Sequence, residues 1–64
     1  LRLIRRLLEL LPSRINAPAL ILLETEATLG AETLALANQA FPRADVRLLP
    51  DLAGRDRLVR IEIA

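Results

Sequence analysis

The sequence reads as an α/β chain that forms part of a doubly wound sheet. Stretches with helical and strand periodicity alternate in the order α–β–α–β–β. Residues 19–23 are apolar at every position and end at Glu24. A strand with one wet face alternates; a continuous apolar run predicts a central strand covered by layers on both sides. Two further apolar runs, 46–49 and 58–63, flank a charged segment containing one of the chain's two glycines, the pattern of a β-hairpin.

The first helix is expected over residues 1–11. Leu3, Ile4, Leu7, Leu8, Leu10 and Leu11 fall on one broad face, and Arg2, Arg5, Arg6 and Glu9 on the other. Pro12 stops it, because the residue before a proline is pushed out of the helical region. The helix reads first as a core helix. A basic amphipathic helix lying on a membrane surface, and a Leu-x-x-Leu-Leu segment (Leu7 to Leu11) docking in an apolar groove, are the competing readings. Residues 12–18 hold two prolines, Ser13 and Asn16, and form a connector.

The first strand is expected over residues 19–24. Ligands of open α/β sheets bind beyond the carboxyl ends of strands, which here is the segment after Glu24. Glu24 and Glu26 are a carboxylate pair only if their environments drive their pKa values apart; the plain reading is two solvated acids. A second helix spans 30–41. Leu34, Ala37 and Phe41 form its apolar stripe, Ala31, Ala35 and Ala40 allow close approach to a sheet, and Glu32 suits its first turn. Gly30 before a helix is a weak phosphate-cradle signal without a flanking glycine pattern.

Strands over 45–49 and 57–63 alternate. Val46 and Leu48 share one face, and Val59, Ile61 and Ile63 share another. Antiparallel pairing allows Arg47 to face Glu62 or Asp45 to face Arg60. Between the strands lies Asp51-Leu52-Ala53-Gly54-Arg55-Asp56-Arg57, in which Gly54 supplies a positive φ and Pro50 ends the preceding strand. Taken alone, this segment is a plain turn.

Composition narrows the function classes. Net charge is +1, all nine basic residues are arginine, and Phe41 is the lone aromatic, so bulk nucleic-acid attraction and base-stacking platforms are not expected. With no cysteine, no histidine and one serine, there is little from which to build a metal centre or a hydrolase. No apolar run has the length of a membrane span and no secretory signal is recognisable, so no membrane partner is expected. The chain opens on Leu1 and contains no methionine, and is therefore expected to be a piece of a longer product or a processed chain.

The segment Asp51-Leu52-Ala53-Gly54-Arg55-Asp56-Arg57-Leu58-Val59 resembles the end of the HemK class of methyltransferases, which methylate a glutamine side chain of peptide-chain release factors using S-adenosylmethionine. The strand end resembles the class in part. Glu24 and Gly30 fit its spacing, while Glu26 and Leu29 stand where the class has glycine and glutamine. The resemblance implies that residues 1–64 are the C-terminal portion of a class I, Rossmann-like methyltransferase sheet. In that sheet the final strand inserts between the two before it, antiparallel to both; the first strand, second helix and second strand form a right-handed βαβ unit if the two strands are parallel. It implies a cytoplasmic parent whose glycine-rich cofactor loop and Asn-Pro-Pro-Tyr motif lie upstream. The upstream half is then the main partner and the release factor the substrate. S-adenosylmethionine belongs to the parent and none is expected on this piece. No catalytic, cofactor-binding or metal residue is assigned here, and the piece alone is not expected to be competent. Arg55, Asp56 and Arg57 are then expected to fasten the hairpin to the upstream half. The free edge of the first strand predicts self-association of the isolated chain. A standalone, non-enzymatic dimerisation module is the alternative reading, and a small nucleic-acid-binding domain ranks last.

Overall fold

The computed structural model describes residues 2–64, with the backbone alone at Asp56. Leu1, expected in the first helix, lies outside the described residues. Helix α1 spans Arg2–Leu10 and runs into a 3-10 turn, Leu11–Ser13, that contains Pro12. Strand β1 spans Ala19–Glu24, helix α2 Gly30–Ala40, strand β2 Asp45–Pro50 and strand β3 Asp56–Ile63. The two helices and the three strands make an α/β unit with a wholly antiparallel sheet.

The strand order is β1-β3-β2. The last strand lies between the first two and runs antiparallel to both, so β1 and β2 point the same way without being neighbours. Pairing joins Ile21 to Ile61 and Val46 to Ile61, and likewise Leu23 and Leu48 to Val59. These rows share one face because strand side chains alternate.

Both helices cover that same face. Leu8 of α1, Ala37 of α2, and Val59 and Ile61 of β3 form the buried core, with Ile4, Leu11, Ile21, Leu23, Val46 and Leu48 packed around it. In this chain β1 is covered on one face, and the second layer expected for a central strand is not among the described residues. β1 is an edge strand, and Leu20 and Leu22 on its outer face are 55% and 59% exposed. Leucine is tolerated at half-exposed strand positions, so an unbroken apolar run does not by itself require two covering layers. The stripe of α1 is likewise narrower than its leucines imply: Leu3, Leu7 and Leu10 are exposed.

On α2 the buried residues are Gly30, Thr33 and Ala37. Leu34 is half-buried and Ala31 and Ala35 face solvent, while Ala40 packs against the core as expected, beside Gly30, Thr33 and Ala37. β2 ends at Pro50, one residue later than the expected 45–49. Pro50 is paired with Asp56 across a register shift after Leu49, the kind of irregularity where proline's missing N–H is tolerated.

The outer-face ions also differ from expectation. Arg47 stands opposite Arg60, and Asp45 opposite Glu62. The ion pairs run along the strands instead, from Arg47 Nε to Asp45 and from Arg60 Nη2 to Glu62, each at 3.0 Å. The Arg47 hydrogen bond, helped by the charges of Arg47 and Arg60, holds the Asp45 carboxyl below the usual aspartate range.

Candidate functional site

The carboxyl end of β1, the turn leading into α2 and the β2–β3 loop meet at one end of the sheet. Beyond Glu24 the chain turns through Thr25 and Glu26 into a 3-10 turn, Ala27–Leu29, that leads into α2. Thr25 and Thr33 are the buried polar residues of this end. The Thr33 hydroxyl donates to the Leu29 carbonyl at 2.8 Å, and its oxygen lies 3.3 Å from the Thr25 hydroxyl oxygen. Buried polar groups cost stability unless satisfied. Here the two threonines satisfy each other and stitch the turn to α2.

Arg57 holds the turn from the other side. Its Nε–H donates to the Thr25 carbonyl at 3.1 Å, and the Thr25 amide donates to the Arg57 carbonyl at 2.8 Å. Its guanidinium also reaches Glu24 at 3.6 Å and Asp51 at 3.8 Å. Within this chain Arg57 is fastened to the strand end. Arg55 contacts Asp51 at 3.5 Å. The side chain of Asp56, grouped with these arginines in the sequence, lies outside the described residues.

Asp51 organises the loop. Its Oδ1 accepts the amides of Ala53 at 2.8 Å and Arg55 at 3.0 Å. Its own carbonyl accepts the Gly54 amide at 2.9 Å, closing a β-turn over residues 51–54. The Arg55 amide bond, the Ala53 amide bond and the charges of Arg55 and Arg57 together hold the Asp51 carboxyl below the usual range, outweighing burial. Gly54 has φ +81°, the left-handed region that favours glycine, and a Cβ there would meet nothing within 4 Å. The requirement for glycine is therefore conformational.

Of the residues singled out in the sequence, Glu24 turns to Arg57, while Glu26 is exposed and does not cap the turn that follows it. They do not form a carboxylate dyad. Gly30 has ordinary helical angles, φ −58° and ψ −49°, and is buried, which is not the form of a phosphate cradle. A shallow hollow of about 350 Å³ beside the turn is bounded by Leu3, Ile4, Glu24, Thr25, Glu26 and Leu29. Among the described residues no group of three His, Cys, Asp or Glu could hold a metal ion. No helix among them is long and apolar enough to cross a membrane. The residues that sequence reading missed are Thr25 and Thr33. The spacing of Asp51 three before Gly54 was a usable signal for the loop, since Asp first and Gly fourth suit a type I turn. What the described residues of this end of the sheet offer is a rigid shape, held by Thr25, Thr33, Asp51 and Arg57.

No protein-family model matches the chain, and no solved structure matches it. The chain is 37% identical over 59 residues to a release factor glutamine methyltransferase of Bacillus anthracis, a match covering 92% of this chain and 21% of that protein. It is 36% identical over 59 residues to a protein of the same name from Bacillus cereus, with the same coverage, 92% and 21%. The chain therefore spans about a fifth of the length of the curated relatives it matches.

Proposed function

We propose that residues 1–64 are the C-terminal portion of a HemK-class methyltransferase, which transfers a methyl group from S-adenosylmethionine to a glutamine side chain of a peptide-chain release factor. In this reading the chain supplies the last three strands of a Rossmann-like, class I sheet. The upstream part of a longer cytoplasmic protein supplies the glycine-rich cofactor loop and the Asn-Pro-Pro-Tyr motif.

One observation carries the reading. An alignment covering 92% of this chain coincides with a strand order, β1-β3-β2, in which the last strand is inserted antiparallel to both neighbours. The second is the arrangement that the resemblance implies for the end of such a sheet. The residues present do not fit the cofactor itself. Gly30 lies in helical geometry, no glycine-rich turn precedes α2, and Phe41 caps the far end of that helix. Cofactor binding and chemistry therefore belong to the upstream part, and this chain alone is not competent.

The full-length protein carrying this sequence, incubated with a release factor and S-adenosylmethionine bearing a labelled methyl group, is expected to label one glutamine. An intact mass well above 7.1 kDa for the natural product accompanies that result. No transfer at saturating cofactor, or a natural product of 7.1 kDa alone, overturns the reading.

A further inference from the structure

We infer that the outer face of β1, at Leu20 and Leu22, is an interface for the upstream part of the longer protein. That part lays an apolar helix over the two leucines and adds a strand at the edge of β1, and its cover ends before β2. The inference rests on the methyltransferase reading above and names the surface by which this chain joins its parent.

A half-exposed leucine does not by itself call for a cover. The rows of the outer face supply the argument. Leu22 lies beside Arg60 and then Arg47, and Leu20 beside Glu62 and then Asp45. Both rows change from leucine to charge in the one step from β1 to β3. The ions of β2 and β3 are already paired within their own strands, Arg47 with Asp45 and Arg60 with Glu62, each at 3.0 Å. Burying such pairs under an apolar layer is unfavourable, whereas covering two leucines is favourable. A layer over β1 that stops at β3 gains the second without the first.

Chain topology puts the source of that layer on the same side. β1 and β2 point the same way and are joined through α2, and both helices lie on the core face. In a doubly wound sheet the strand before α1 runs parallel to β1, so α1 is the crossover helix between them. Crossovers between parallel strands are right-handed. Two right-handed crossovers with their helices on one face step across the sheet in one direction. The strand before α1 therefore lies on the side of β1 away from β2, at its free edge. The chain spans about a fifth of the length of its relatives, which leaves ample chain for that strand and for a helix on the other face.

The test is amide exchange on the wild-type full-length protein. The Leu20 and Leu22 amides are expected to exchange about 1,000-fold slower than in open chain, as amides inside a sheet do. Thiol labelling of two single variants, Leu22→Cys and Arg47→Cys, reads the face, since residues 1–64 contain no cysteine of their own. The thiol at position 22 is expected to react about 100-fold slower than the thiol at position 47, because a covered thiol reacts only on local opening. The wild-type exchange stands whether or not the variants fold. Fast amides at Leu20 and Leu22 overturn the interface and leave the methyltransferase reading standing. Equal labelling at the two positions also overturns it, because the face is then bare or covered throughout. Protection that disappears on dilution to a monomer assigns the edge to a second copy and overturns it too. A natural product of 7.1 kDa alone overturns the parent reading and the interface with it.

Discussion

Arg47 and Arg60 face each other directly across β2 and β3, and each bends along its own strand to a carboxylate two residues away. Like charges directly opposite are unfavourable, whereas diagonal neighbours lie within reach of long side chains. The four ions therefore form a square with like charges along its rungs and opposite charges across its diagonals. Exchanging the two ends on β2, Asp45→Arg with Arg47→Asp, keeps the pair along the strand and turns both rungs attractive. The double variant is expected to melt slightly higher than wild type in dilute buffer, with the difference gone near 1 M salt, where screening acts within about 3 Å. Equal melting in dilute buffer would count against a repulsive register.

Removing the Arg57 side chain tests the tie between hairpin and strand end. Arg57→Ala deletes the donor to the Thr25 carbonyl and the charge facing Asp51 and Glu24. The loss is expected to be about 1.5–3 kcal/mol in urea unfolding, the range for hydrogen bonds involving a charged group. Lysine restores the charge without the planar fork, so Arg57→Lys recovers only part of it. Full recovery with lysine would show that charge alone holds the turn.

Thr33→Val tests the buried hydroxyl on α2. Valine fills the same space but leaves the Leu29 carbonyl and the Thr25 hydroxyl without their partner. A loss of about 1 kcal/mol is expected by chemical denaturation. The Thr25 and Leu29 amides should exchange faster while those of β3 do not. A variant as stable as wild type would mean that the pair is dispensable.

Acid should loosen the hairpin loop. The Asp51 carboxyl is more acidic folded than unfolded, because the Arg55 and Ala53 amides and two arginines favour its charged form. Its contribution is therefore complete above the unfolded aspartate value and is lost as pH falls through the lower folded one. Loop amide shifts followed by NMR should titrate in that acid window. Asp51→Asn keeps an acceptor for the amides but removes the charge, and is expected to flatten the acid limb of the stability curve. An unaltered acid limb would assign it to other carboxylates, such as Asp45.

Periodicity made much of the fold legible. Alternation over Val59, Ile61 and Ile63 marks the strand that carries the core, and Gly54 marks a backbone position that needs positive φ. Local signals do not report what lies on the far side of a strand, so Leu20 and Leu22 read as buried when they are half-exposed. Threonine in a helix has no distinctive pattern, which hid Thr33. The pairing of Arg57 with Thr25 spans 32 positions and no local rule predicts it. Register decided the outer-face ions, and register depends on the bulge at Pro50, invisible in composition.

The free edge of β1 has a parity. The Thr25 amide bonds the Arg57 carbonyl, and the β1–β3 ladder alternates from there, so odd-numbered residues of β1 turn their backbone groups to β3 and Leu20, Leu22 and Glu24 turn theirs outward. Any strand added at this edge must meet those three positions, and a slip of one residue is forbidden because it would swap the faces. A second copy of β1 obeys the rule when Leu20 of each chain lies opposite Leu22 of the other, with Ile21 on the two-fold axis. The isolated chain is accordingly expected to self-associate in sedimentation runs at rising concentration. Leu22→Lys, a charge placed on that edge, should keep it a 7.1 kDa monomer. A wild-type monomer at every concentration would mean that the edge is already closed to further strands.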